Sequence, residues 1–322
     1  LREALRAGST GAMATQFPSR IRIGTRGSPL ALAQAHETRA RLMTAHHMPE
    51  DAFEIAVIKT TGDRVLDRAL SEIGGKGLFT REIEEALLAG DIHLAVHSMK
   101  DMPTVLPDGL TLAAYLPRED VRDAFVSPHH ASVAALPRGA VVGTSSLRRR
   151  AQLLHRRADL NVVEFRGNVQ TRMKKLADGV AEATFLACAG LRRLGMESAI
   201  RAPIDPGDML PAVAQGAIGI ETRAGDDAIR ALLAPIACAR TGVRLAAERA
   251  FLAGLDGSCR TPIGGLAELE GDRLFLRGEI IRPDGSERLT TERRGAAGDA
   301  AAMGSDAAAE LRTRGGPGFF TA

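Results

Sequence analysis

Short β-rich runs and helical patterns alternate over the first 220 residues of this chain, and no other feature constrains its fold as much. A strand, a helical stretch and a further strand in sequence call for parallel sheets with crossover helices. Strands are expected over Arg20–Ile23, Phe53–Ile58 and Ile92–Val96, with helices over Pro29–Ala45 and over Thr80–Ala89, the latter with Thr80 as N-cap. A second unit of the same kind starts near residue 117. Its strands are Ala140–Val142, Val162–Phe165 and Ala183–Leu186, and its helices Ser146–Arg157 and Val169–Ala177. Ala217–Glu221 is read as a strand that returns to the first sheet. Crossings near residues 115 and 216 would then join a hinged pair of lobes around a cleft, and in such sheets ligands sit at the carboxyl ends of strands.

The tail follows another pattern. Helices over Asp227–Leu233 and Val243–Leu255 precede three consecutive strand patterns, Gly265–Glu270, Leu274–Ile281 and Arg288–Arg294, and a closing helix over Asp299–Thr313. Strands in a run imply a small antiparallel α+β domain. The expected divisions are a leader at 1–19, a first domain of 20–116 with 217–236, a second of 117–216 and a third of 237–322.

Composition removes several classes of function. The net charge of +3 is too small for a dedicated nucleic-acid binder, and 3% aromatic residues with no tryptophan leave little to stack bases on. No apolar run nears the roughly 18–20 residues that span a bilayer. The three cysteines have neither metal-ligand nor CxxC spacing, and the N-terminus lacks an apolar signal-peptide core. A cytoplasmic protein without metal, membrane or nucleic-acid partner is expected.

Position says more than composition. Of the 42 basic residues, all but five lysines are arginine, the better planar binder of carboxylates. In Gly143-Thr144-Ser145-Ser146-Leu147-Arg148-Arg149-Arg150 a strand turns into a helix, and three arginines meet the positive end of the helix dipole. Each is unfavourable there by about 0.3–1 kcal/mol, and an anion at the helix end would relieve the conflict. Arg26 and Ser28 follow the first strand, Lys100 the third, Arg166 the Val162–Phe165 strand with Arg172 two turns on, and Arg192 and Arg193 the Ala183–Leu186 strand. Cations at so many strand ends imply a positively lined cleft for a polycarboxylate.

Asp101 stands out as an acid within that cationic set, next to Lys100. Alone it would read as a turn aspartate; among cations it becomes a candidate electrostatic catalyst for a cationic intermediate. Gly74-Gly75-Lys76-Gly77 suits a loop or lid bearing Lys76, and lacks Walker spacing. Cys188 and Cys238 read as structural thiols, whereas Cys259 lies in a glycine-rich loop beside Arg260, a setting that can expose and activate a thiol.

RIGTRGSPLALAQ, GGKGLF, LAVHSMKDMP, VVGTSSLRRRAQL, FRGNVQTR, LPAVAQGAIGIE and GSCRTPIGG occur in that order. Together they resemble the porphobilinogen deaminase (hydroxymethylbilane synthase) family over about residues 20–315. The resemblance implies two α/β domains similar to type II periplasmic binding proteins, with a hinge and cleft, and a small C-terminal α+β domain with a three-stranded antiparallel sheet. It implies a monomeric enzyme of haem biosynthesis that condenses four porphobilinogen molecules head to tail, releases ammonia at each step, and frees hydroxymethylbilane by hydrolysis. The implied cofactor is dipyrromethane, joined by a thioether to Cys259. By resemblance Lys100, Thr144, Ser146, Arg148, Arg149 and Arg172 hold the cofactor carboxylates, and Arg26, Ser28, Arg166 and Arg193 the substrate. Lys76 would belong to the lid, and Asp101 would stabilise the positive pyrrole nitrogen left when the aminomethyl group departs. A non-catalytic carboxylate receptor on the same two-lobed fold, and a nucleic-acid binder using the arginine clusters, are the competing readings.

Overall fold

The computed structural model describes residues 17–64, 79–257 and 261–320. Strands β1 (Ile21–Thr25), β2 (Phe53–Val57), β3 (Leu94–Ser98) and β4 (Leu110–Tyr115) belong to a first lobe. Strands β5 (Asp123–Val126), β6 (Val141–Gly143), β7 (Asn161–Val163), β8 (Ala183–Ala187) and β9 (Ala202–Pro203) build a second. Strand β10 (Ile218–Arg223) returns to the first, and β11 (Ile263–Glu270), β12 (Arg273–Ile281) and β13 (Arg288–Ala296) form a third unit. The sheet orders are β2-β1-β3-β10-β4, β7-β6-β8-β5-β9 and β11-β12-β13. Helices α1 (Pro29–His46), α2 (Thr61–Arg64) and α3 (Arg81–Ala89) accompany the first lobe. Helices α4 (Leu147–Arg156), α5 (Val169–Ala177) and α6 (Cys188–Arg193) accompany the second, α7 (Asp227–Leu233) follows β10, and α8 (Ala239–Gly254) and α9 (Ala300–Gly315) belong to the third unit.

The lobes are α/β as expected, but their sheets are mixed rather than parallel. β10 runs antiparallel between β3 and β4, and β5 antiparallel between β8 and β9. β4, β5 and β9 escape a search for strand–helix alternation because the chain passes from β4 to β5, and from β9 to β10, without a helix of more than three residues. The short helices α2 and α6 are not expected either; the other elements fall within a few residues of their expected ends, the usual latitude of element boundaries. Thr80 precedes α3, but its side chain makes no cap bond. Ser28 does cap α1, accepting from the Ala31 N–H at 3.2 Å, with Pro29 in the first helical position where a missing donor costs nothing.

Each sheet buries its own core. Ile21, Ile23, Leu94, Val96, Ile218 and Ile220 fill the first, and Phe125, Phe185, Val142 and Leu153 the second. The third core, around Phe251, Leu276 and Leu311, also takes in Met99 and Met102 from the first lobe. Those methionines flank Lys100 and Asp101 and are 1% and 4% exposed. Burying each is worth about 1.5–3 kcal/mol, which anchors the short turn between them.

Candidate active site

The carboxyl ends of β1, β2 and β3 face those of β6, β7 and β8 across a cleft of about 710 Å³. The first lobe contributes Arg26, Ser28, Lys59, Lys100 and Asp101 to its lining, the second Arg149, Arg166, Arg172 and Lys175. A connected cavity of about 160 Å³ lies where the third domain meets both lobes. It shares Lys100, Asp101, Arg149 and Arg172, and adds Ser146, Arg148, Leu252, Thr261 and Ile263. Every one of these basic groups but Lys175, which lies in the last turn of α5, arrives just after a strand or in the first turn of the helix that follows it. The sheet therefore aims the charges inward, as the strand-end positions predict.

Packing of this density affects the cations themselves. Burial, together with the nearby Arg149, pushes the Arg172 guanidinium down to about 10, although Glu164 and Asp101 oppose the fall. Burial likewise lowers the Lys100 ammonium, with Asp101 acting in the opposite sense. Lys100 makes no hydrogen bond or ion pair among the described residues, so its charge is left for a ligand. The Arg172 Nε donates to the Gly167 carbonyl at 2.9 Å, which holds the side chain against the turn after β7. Arg26 stacks on Phe79 with its guanidinium carbon 4.2 Å from the ring centroid.

The conflict of three arginines with the start of α4 is resolved partly from within. Asp123, wholly buried at the start of β5, lies 2.8 Å from Arg148 Nη2 and 2.6 Å from Arg149 Nη2. Burial alone would raise this carboxyl, but the two guanidinium groups outweigh it and hold it at about 2. Gln215 Nε2 donates to the same carboxylate at 3.0 Å, and Arg149 also donates to the Phe185 carbonyl at 2.7 Å. Arg148 donates to the Leu210 carbonyl at 2.7 Å. Both arginines thus reach the cavities with their planes already fixed. Gly143 makes the turn possible: a Cβ there would sit 2.4 Å from the Phe165 ring.

Other expected site residues fall elsewhere. Thr144 is 4% exposed, and its hydroxyl accepts from the Ser146 N–H at 3.2 Å, so it shapes the turn and does not line the cleft. Ser146 caps α4 through the Arg149 N–H and lines the smaller cavity. Arg193 lies outside both linings. Its Nε meets Glu37 of α1 at 3.1 Å and its Nη2 donates to the Gly216 carbonyl at 3.2 Å, so it joins the lobes at their seam. Lys76 and Cys259 lie outside the described residues, although Thr261, two positions after the cysteine, lines the smaller cavity. Sequence reading passed over Lys59, Lys175 and Asp123. Lys59 follows β2 and could have been found by the same strand-end rule; Asp123 offers no such signal.

Two lobes that bring lysines and arginines together around Asp101, with a third domain at their junction, make a cleft suited to a polyanion. The family profile "Porphobilinogen deaminase, dipyromethane cofactor binding domain" matches residues 21–231, and "Porphobilinogen deaminase, C-terminal domain" matches residues 243–313. A porphobilinogen deaminase of Paracoccus denitrificans is 68% identical over 309 residues, covering 95% of this chain and 99% of the relative. One from Nitrobacter winogradskyi is 58% identical over 299 residues, covering 93% and 95%. The chain belongs to the porphobilinogen deaminase family: it is a deaminating transferase of tetrapyrrole synthesis that polymerises porphobilinogen and uses a dipyrromethane cofactor. Among solved structures, a putative methionine-binding lipoprotein from Bacillus subtilis is similar over 69% of this chain and 92% of its own, at 12% identity and a TM-score of 0.42.

Proposed function

We propose that Asp101 is the catalytic group of this polymerisation and that the cations around it sort the carboxylates of the reacting chain. The observation that carries this reading is the convergence of Asp101 with Lys100, Arg149 and Arg172 on both cavities. Porphobilinogen bears an acetate and a propionate, and departure of its aminomethyl nitrogen leaves positive charge on the pyrrole. A carboxylate about 4 Å from that charge, at an effective dielectric near 20, is worth about 4 kcal/mol before desolvation. The surrounding cations fix where the substrate rings lie.

The donor set suits dipyrromethane. Its ring acetates and propionates need several cations at fixed spacing, and Lys100, Arg148, Arg149 and Arg172 present them around the smaller cavity, with the Ser146 hydroxyl beside them. When bound, the cofactor supplies the primer on which the chain is built. We assign its thioether to Cys259, because the neighbouring Thr261 lines that cavity, and we place Thr144 behind it as a turn-shaping residue. Arg26, Ser28 and Arg166 receive the incoming substrate in the larger cleft, and we assign the lid to Lys76, which lies outside the described residues. Arg193 steadies the lobes around that substrate through Glu37. The domains divide at 20–116 with 217–236, 117–216 and 237–322.

We place the enzyme in the cytoplasm as a monomer, without nucleic-acid or membrane partners. Among the described residues no helix is long and apolar enough to cross a membrane. The test is intact-protein mass spectrometry on protein made with normal haem synthesis. An adduct of two pyrrole units, lost in Cys259→Ser, is the expected result. A mass equal to the bare sequence overturns the attachment.

A further inference from the structure

Behind Asp101 lies a buried ionisable cluster that the roles above do not use. His97 on β3 is 6% exposed, and its Nε2 sits 3.0 Å from Oε2 of Glu221, a wholly buried residue on β10. The other oxygen of Glu221 has no hydrogen-bond partner. Glu84 of α3 is buried nearby, and burial raises its carboxyl, Glu221 adding to the effect while His97 and Arg81 oppose it. Arg249 of α8 is the further cation that feels Glu221. His97 is not sealed off, since it lines a cavity of about 70 Å³ together with Ser98, Gln34, Arg26 and Asp101. That volume holds a water or two, at about 30 Å³ each.

Burying two carboxyls and an imidazole costs desolvation that apolar side chains would avoid, and this cluster leaves one oxygen each of Glu84 and Glu221 without a hydrogen bond, beside the cavity that His97 shares with Asp101. The reaction needs what they offer. Each condensation breaks the C–N bond of a protonated aminomethyl group, and the electron pair leaves on nitrogen as ammonia. A C–C bond then forms from a free pyrrole α-carbon, which sheds its hydrogen as a proton. That proton must leave the site and ends on the ammonia or in solvent.

We propose that His97, oriented by Glu221, is a positioning residue that takes up this proton from the cavity it shares with Asp101 and returns it there to the released ammonia, which carries it away. The inference rests on the reading of Asp101 as the catalytic group. Glu221 fixes the ring and balances its charge while the proton is held, and Glu84 lies close enough to share that charge.

The test uses His97→Gln and Glu221→Gln holoenzymes, checked by intact mass for the cofactor adduct. Both are expected to retain the adduct and a wild-type KM for porphobilinogen. The expected kcat falls by about tenfold to a hundredfold, the lower part of the range for general acid–base groups. The solvent deuterium isotope effect on kcat is expected to grow, because proton transfer becomes slower than the other steps. A kcat within twofold of wild type, or a lower kcat with an unchanged isotope effect, overturns the relay. If His97→Gln does not fold, the same readings on Glu221→Gln decide it. Failure of the underlying reading is separate: an Asp101→Asn enzyme with normal turnover removes Asp101 from the chemistry, whatever the His97 variant does.

Discussion

Replacing Asp123 by asparagine removes one charge and almost no volume, so it isolates what that carboxylate does for Arg148 and Arg149. Holding the carboxyl at about 2, against 3.8 for a free aspartate, corresponds to about 2–3 kcal/mol of native stability. Loss of one partner from a buried pair usually costs 3–5 kcal/mol; the smaller figure is preferred because asparagine still fills the site and can accept a bond. The sign follows from the depressed value. The contribution is complete above the unfolded value near 3.9 and is lost as pH falls toward about 2. Urea unfolding of wild type and Asp123→Asn should therefore differ by about 2–3 kcal/mol at neutral pH, and the gap should close between roughly pH 4 and pH 2. The released guanidinium groups should also lose their fixed planes, so the variant should carry less of the cofactor adduct by intact mass. Equal stability at neutral pH, or a gap that ignores acid, would refute the role given to Asp123.

Asp101→Glu keeps the charge but moves it by a methylene, and kcat for porphobilinogen consumption should drop by about a hundredfold or more, since geometry governs this kind of stabilisation; wild-type turnover would exclude Asp101. With Lys100 lowered and Arg172 held at about 10, carboxylate binding should weaken as pH rises toward about 10, earlier than for ordinary basic side chains. KM measured against pH checks this, and Lys100→Arg should delay the loss. Gly143→Ala drives a methyl into the buried Phe165 ring, and thermal unfolding should reveal a cost of about 1–3 kcal/mol.

Much of the site was legible because it breaks local rules. Arginines at a helix N-terminus and lysine at a strand end are unfavourable unless something anionic meets them, and a sequence displays that conflict directly. Asp123 in VRDAF breaks no rule, and only the packing of β5 against β8 brings it to α4. Glu248 is similar: on paper it is one acid on a helix, while in the fold it is buried, accepts Arg118 at 2.6 Å and takes the Ala214 N–H. Arg193 shows the converse. Its position after β8 matches the strand-end rule, yet Glu37 from the other lobe claims its charge. The alternation gave the two α/β lobes, but not the antiparallel strands, because periodicity carries no direction for a strand that arrives without a helix.

The placement of β10 has a consequence for how the molecule is made. It lies between β3 and β4, and the Leu116 and Glu119 amides bond to the carbonyls of Ile218 and Gly216. A ribosome that has delivered residues 1–216 has synthesised every strand of the second sheet, while the first still lacks an inner member. Of the two lobes, the one that begins first therefore finishes last, and until about residue 223 emerges, β3 and β4 each have an open edge where β10 will lie.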